Sequence, residues 1–131
     1  MISDAVLSLH WHAFAYTGRY PDYSEAKNIN VAVRPLTLSD WFRKPRQMHQ
    51  GTYSDAAGAY SWLESELRQV CVDHGRLADA LDHYHVRLEL GQDAYSGGYA
   101  KDRSSIYVRC LLTFPRTGAD RRPEQCPGPP K

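Results

Sequence analysis

Apolar and polar residues alternate with a period of two in four short segments, and this pattern constrains the fold more than any other feature. Side chains point to opposite faces of a β-strand in turn, so such alternation is typical of a strand with one buried face. We therefore predict strands over residues 4–16, 28–34, 83–90 and 104–114. The segments between them, apart from one helix, are expected to be loops.

The predicted helix covers residues 55–82, where apolar residues recur at a spacing of three and four. Gly75 falls inside this pattern, and a glycine in a helix interior costs about 1 kcal/mol relative to alanine. We expect a bend or a break at residues 74–76. Two helices, 55–73 and 76–82, are an equal alternative to one.

The order strand, strand, helix, strand, strand predicts an α+β fold. One long, possibly broken, amphipathic helix would cover one face of a four-stranded antiparallel sheet. Leu67 is expected at the contact between helix and sheet. Residues 1–114 would form a single domain. Residues 115–131 hold five prolines and two glycines and predict a disordered, basic, Pro-rich tail.

Composition narrows the class of protein without naming a function. With 131 residues, of which 42% are hydrophobic, the chain is large enough to form one hydrophobic core. The net charge of +1 gives no global field that would dictate a partner. Three cysteines without a CxxC spacing argue against a disulfide framework or a thiolate zinc site. No apolar run has the length of a membrane span and no signal peptide is evident, so a cytoplasmic protein without a membrane partner is expected.

Two of the predicted strands carry a His-x-His pair. These are His10-Trp11-His12 and His83-Tyr84-His85. Because residues two apart share a face of a strand, both pairs are expected on the uncovered face of the sheet.

That uncovered face is predicted to be aromatic, basic and rich in hydrogen-bonding groups. Its members include His10, His12, Phe14, Tyr16, Asn30, Arg34, His83, His85, Arg87, Glu89, Tyr107, Arg109 and Thr113. Tyrosine and arginine are favoured at protein interfaces, so a protein partner or self-association is the leading hypothesis. Aromatic rings beside cations also stack on single-stranded nucleic acid, which is an alternative.

Two loops supply further candidate binding residues. Trp41, Arg43, Lys44 and Arg46 could grip a phosphate, or Trp41 could plug the core while the bases stay in water. The second loop carries Tyr95 and Tyr99 around a Gly-Gly pair and is longer than a tight turn requires, which is typical of binding loops.

A metal site is the remaining hypothesis. If the two His-x-His strands were neighbours, then His10, His12, His83 and His85 could converge on one divalent ion. The His–hydrophobic–His strands resemble the metal-binding strands of the HUH nickases and replication initiators. That resemblance implies a phosphodiester-cleaving enzyme with a tyrosine nucleophile on a helix. Tyr60 is the only tyrosine on the predicted helix, and its spacing favours burial. The leading hypothesis needs no cofactor.

Overall fold

The structure, a computed structural model, describes residues 9–71, 74–101 and 104–116. Its elements in chain order are β1 (His10–Gly18), α1 (Tyr23–Lys27), two 3₁₀ helices (Leu38–Arg43 and Arg46–Met48), β2 (His49–Tyr53), α2 (Ala56–Val70), α3 (His74–Glu89), β3 (Ala94–Tyr99) and β4 (Ile106–Phe114). The strands form one antiparallel sheet in the order β2-β1-β4-β3. The predicted α+β class and four-stranded antiparallel sheet are confirmed.

The two central strands, β1 and β4, are the first and last of the predicted strands. Their register pairs His12 with Leu112 and Trp11 with Thr113. Directly opposed residues share a face of a sheet. Trp11 and Leu112, which the alternation grouped on one buried face, therefore lie on opposite faces. Trp11, His12 and Leu112 are all buried, so both faces of these strands are covered and the prediction of an open polar face on β1 is wrong.

The first face of the sheet packs against α2 and α3. Asp55 begins α2 by accepting a hydrogen bond from the Gly58 N–H at 2.7 Å. Leu67 is fully buried at this contact, as predicted. The core on this face consists of Trp11, Ala13, Ala59, Leu63, Leu67, Leu77, Leu81, Leu88, Ala94, Tyr107 and Leu111.

The helical region is interrupted, but earlier than expected. α2 ends at Val70, where the backbone of Cys71 is extended and its N–H donates to the Leu67 carbonyl at 2.8 Å. α3 then begins at His74 and includes Gly75. Gly75 is the second residue of α3 and lies in its first turn, so the helical region does divide into two helices, but a few residues before the predicted break at 74–76.

The predicted strand over residues 83–90 is wrong, because α3 continues through it to Glu89. Leu81, Tyr84 and Leu88 recur at a spacing of three and four and face the core, whereas Val86 is 57% exposed. This segment satisfies both periodicities, and the helix that precedes it decides between them.

The two outer strands come from segments that were expected to be loops. β2 lies within residues 45–53, and β3 lies in the segment that contains the Gly-Gly pair. These strands have five and six residues, which is too few for an alternating pattern to be recognised. The predicted strand over residues 28–34 is instead a series of turns and bends.

Lys44 explains how this turn segment is held. Its Nζ donates to the carbonyls of Asn28 at 2.8 Å, Val31 at 3.0 Å and Glu25 at 3.4 Å. The carbonyls thus bond to an ammonium group rather than to a neighbouring strand. Lys44 is buried, so both alternatives are wrong for this residue: it neither offers its charge to a phosphate nor stays in water.

The 3₁₀ helices cover part of the second face of the sheet. They place Trp41 and Met48 in a second core cluster with Phe14, Val108, Cys110 and Leu112. Trp41 is 1% exposed, which agrees with the interpretation that it plugs the core.

The described part of the chain ends in a buried ion pair. Arg116 donates to the Asp93 carboxylate at 2.8 Å, and the Thr113 backbone N–H donates to the same oxygen at 2.7 Å. Arg116 belonged to the predicted disordered tail, whose residues 117–131 lie outside the described ranges. Across the described ranges, no helix combines the length and the apolar character needed to cross a bilayer.

Candidate functional site

A pocket of about 330 Å³ opens on the second face of the sheet beside the edge strand β3. We call it the tyrosine pocket; its lining residues are Tyr20, Arg34, Tyr95, Gly97, Gly98, Tyr99, Ile106, Tyr107 and Val108. Tyr95, Gly97 and Tyr99 alternate along β3 and pair with Cys110, Val108 and Ile106. Gly97 has no side chain, so the Tyr95 ring can lie over it: a Cβ atom at Gly97 would be 3.4 Å from that ring.

Three tyrosines give this pocket an exposed aromatic rim. Tyr20 is 66% exposed, Tyr99 is 69% exposed and Tyr95 is 38% exposed. Burial raises the pKa of Tyr95, while the nearby Arg34 charge opposes that rise. Tyrosine combines a large apolar ring with a polar tip, which suits a surface that must bind and yet remain in water.

Arg34 is the charged member of the tyrosine pocket. Its Nη2 donates to the Tyr20 hydroxyl at 2.6 Å, and its guanidinium lies 4.8 Å from the centre of the Tyr20 ring. Its Nε is buried and makes no hydrogen bond with any described residue. Nor does Arg34 form an ion pair within the described ranges.

The backbone of β3 adds an outward-facing strand edge to the pocket, and no other described strand pairs with it. The Ala100 N–H donates to the Ser105 carbonyl at 2.9 Å, which marks a hydrogen-bonded pair in the β3–β4 ladder. In an antiparallel ladder such pairs alternate with pairs whose N–H and C=O groups point away. Tyr95, Gly97 and Tyr99 occupy the alternate positions, so their backbone groups face outward at the sheet edge.

A chain of three histidines lies on the same face of the sheet, at its other end. His10 Nε2 is 3.1 Å from His12 Nε2, and His12 Nδ1 is 3.1 Å from His49 Nε2. The Thr52 hydroxyl lies 3.2 Å from both His12 Nδ1 and His49 Nε2. Adjacent strands produce this arrangement, because β1 places His12 opposite Thr52 of β2. Phe42 and Phe114 pack against the His12 ring.

Burial sets the protonation of the central ring. It lowers the pKa of His12 to about 3, and the charges of His10 and His49 act in the same direction. A neutral imidazole has one donor and one acceptor nitrogen. His12 therefore accepts from one neighbouring ring and donates to the other, in either of two arrangements.

This chain of rings does not converge on a metal ion. The 3.1 Å between His10 Nε2 and His12 Nε2 would suit two ligands of one ion at bond lengths of about 2.0–2.1 Å. His49, however, approaches the opposite nitrogen of the His12 ring. No three His, Cys, Asp or Glu side chains in the described ranges form a group that could hold a metal ion.

The metal hypothesis required the two His-x-His pairs to lie on neighbouring strands, and this condition is not met. His83 and His85 are exposed on α3, where His85 Nε2 lies 3.0 Å from Glu89 and its ring contacts Tyr60 at 4.7 Å. α3 packs on the first face of the sheet, whereas His10 and His12 lie on the second. The geometry that the HUH resemblance requires is therefore not formed.

The remaining predicted binding residues have separate positions. Arg109 is buried on the first face and donates to Glu66 at 2.9 Å, and Arg87 donates to the Asp93 carbonyl at 2.7 Å. Arg43 and Arg46 are exposed, away from the tyrosine pocket. The Tyr16 hydroxyl donates to the Arg19 carbonyl at 2.7 Å.

Tyr107 lies on the first face of the sheet, where its ring lies over Gly98. It is 7% exposed, its hydroxyl lies 3.2 Å from Cys71 Sγ, and burial raises its pKa to about 12. The prediction that Tyr107 and Arg109 stand in water on an open face is wrong.

Sequence reasoning nevertheless named four residues that the structure brings together in the tyrosine pocket: Arg34, Tyr95, Tyr99 and Tyr107. It missed Tyr20, whose loop shows no periodic signal. It also missed His49 and Thr52, whose strand is only five residues long. The only sequence signal for His49 was the weak alternation of polar and apolar residues in the segment that ends at Tyr53.

Comparison with protein-family models, with curated proteins and with solved structures gives no significant match. The function is therefore argued from the geometry of the described residues alone.

Proposed function

We propose that this protein is a binding module that takes up an extended segment of a partner protein at the outer edge of β3. The segment would add a fifth strand to the sheet, and the tyrosine pocket would receive one of its side chains. The observation that supports this most directly is the position of the pocket. It lies on the same residues, Tyr95, Gly97 and Tyr99, whose backbone groups face outward.

Strand addition requires two things that this edge offers together. Main-chain hydrogen bonds supply affinity, and a pocket for alternate side chains supplies specificity. An edge with free N–H and C=O groups is also a liability unless it has a partner, because it can pair with other chains. A functional strand-binding edge accounts for both features.

Contacts within the chain hold the pocket in place before a partner binds. Lys44 fixes the carbonyls of the turn segment that precedes Arg34, and Arg34 in turn contacts Tyr20. A site whose parts are positioned before binding loses less conformational entropy when the partner arrives. We therefore expect β3 and Arg34 to keep their positions in the complex.

Selection from a peptide library displayed on phage tests this proposal. Peptides enriched on the wild-type chain would be synthesised and their affinities measured by calorimetry. The Tyr99→Ala variant is expected to lose about tenfold or more, because tyrosines at the centre of an interface are common hot spots. Tyr23→Ala is the matched control, since Tyr23 is 67% exposed, close to the 69% of Tyr99, and does not line the pocket.

Two results would overturn the proposal. One is the absence of any peptide that binds after selection. The other is a set of peptides that bind the Tyr99→Ala variant as tightly as they bind the wild-type chain.

A further inference from the structure

We infer that the tyrosine pocket selects a carboxylate, so that the bound segment presents a glutamate or aspartate side chain to Arg34. This inference rests on the proposed strand addition and names the chemistry of the partner. The charge of Arg34, rather than the shape of the pocket, determines which side chain would bind.

Arg34 differs from the other half-buried or buried cations of the described chain. Arg109 has Glu66, Arg116 has Asp93, Lys44 has three carbonyl groups, and Arg87 has the Asp93 carbonyl. Arg34 has only phenolic hydroxyl groups and a ring face as partners, and its Nε has no acceptor among the described residues. A cation that is partly removed from water without a counter-charge is costly, and a carboxylate from outside would relieve that cost.

The aromatic walls of the pocket strengthen this selection. The Tyr20 ring lies beside the guanidinium, the Tyr95 ring lies over Gly97, and Tyr99 lines the same pocket. When a partner segment covers these rings, water is displaced and the local dielectric constant falls, which strengthens the attraction between the bound carboxylate and the cation. A neutral amide of the same shape gains much less from this environment.

The test uses two synthetic peptides of seven residues with alternating threonine and valine. One has glutamate at its centre and the other has glutamine. Binding to the wild-type chain and to Arg34→Gln is measured by NMR titration, which also reports which amide signals move. A third peptide, N-methylated on alternate residues of the glutamate sequence, removes the main-chain donors that strand addition needs.

We expect the glutamate peptide to bind the wild-type chain about tenfold more tightly than the glutamine peptide. This preference should disappear in Arg34→Gln, and the signals of Tyr95, Gly97 and Tyr99 should move on binding. The N-methylated peptide should bind much more weakly.

Each other outcome contradicts a defined part of the argument. Equal binding of the two peptides, with loss on N-methylation, overturns the selection of a carboxylate and leaves strand addition standing. Failure of both peptides to bind, tighter binding of an oligothymidine strand at the same signals, or a dimer that Tyr99→Ala dissociates overturns the inference.

Discussion

At the scale of single residues, His12 shows how a polar side chain can belong to a core. It is fully buried, yet both of its ring nitrogens have neighbours at 3.1 Å. A buried imidazole with both nitrogens engaged avoids the cost of an unsatisfied polar group. The sequence pattern marked His12 as polar and therefore exposed, because alternation reports polarity and carries no information about hydrogen-bond partners.

The depressed pKa of His12 makes stability depend on pH. Below about pH 6.5 the unfolded chain takes up a proton at this ring, whereas the folded chain does so only near pH 3. Stability is thus fully present above the unfolded value and is lost as the pH falls. Between pH 7 and pH 5, the effect of His12 lowers the free energy of unfolding by about 2 kcal/mol.

Urea unfolding at both pH values, for the wild-type chain and for His12→Gln, measures this contribution. The difference between pH 7 and pH 5 should be about 2 kcal/mol smaller in the variant. An identical pH dependence in both proteins would show that His12 is not held neutral in the fold.

Lys44 is a second residue whose role depends on burial. Lys44→Met should lower the free energy of unfolding by about 1–3 kcal/mol, because three carbonyl groups lose their charged donor. Chemical denaturation measures the loss, and the exposed Lys101→Met is the control, with an expected change within about 0.5 kcal/mol. Similar values for the two variants would remove Lys44 as the anchor of the turn segment.

At the scale of elements, the contact between α2 and the sheet carries much of the stability. Leu67→Ala should cost about 2–5 kcal/mol, since Leu67 is fully buried. Leu90→Ala, at a residue that is 67% exposed, is the matched control and should change stability by less than about 0.5 kcal/mol. Both are measured by urea unfolding, and a small loss at Leu67 would contradict the packing described here.

The central strands and the helical region could be predicted because each is long enough for its period to repeat. The segment 83–90 was misassigned because His83, Tyr84 and His85 fit both a strand and a helix. β2 and β3 were missed because their five and six residues contain glycine and little alternation. In these elements tertiary packing, rather than local pattern, decides the structure.

At the scale of the whole molecule, both faces of the central strands are covered, and the proposed binding site lies at an edge of the sheet. Arg34 was predicted to bind from the water-facing side of a strand, but in the structure it belongs to no strand. Tyr95 and Tyr99 were predicted in a loop, but they lie on β3. The sequence pattern could not place these three residues beside Tyr20, because the pocket joins residues that are distant in the chain. Residue types were predictable, whereas their assembly into one pocket required the fold.

The most direct test of this account is amide hydrogen exchange along β3 in the free protein, followed by NMR. The register predicts slow exchange at Ser96 and Gly98, whose amides face β4, and fast exchange at Gly97 and Tyr99, whose amides face outward. Addition of the glutamate peptide should then slow exchange at Gly97 and Tyr99. Equal protection of all four amides in the free chain would mean that the edge is already covered, and would contradict the proposed function.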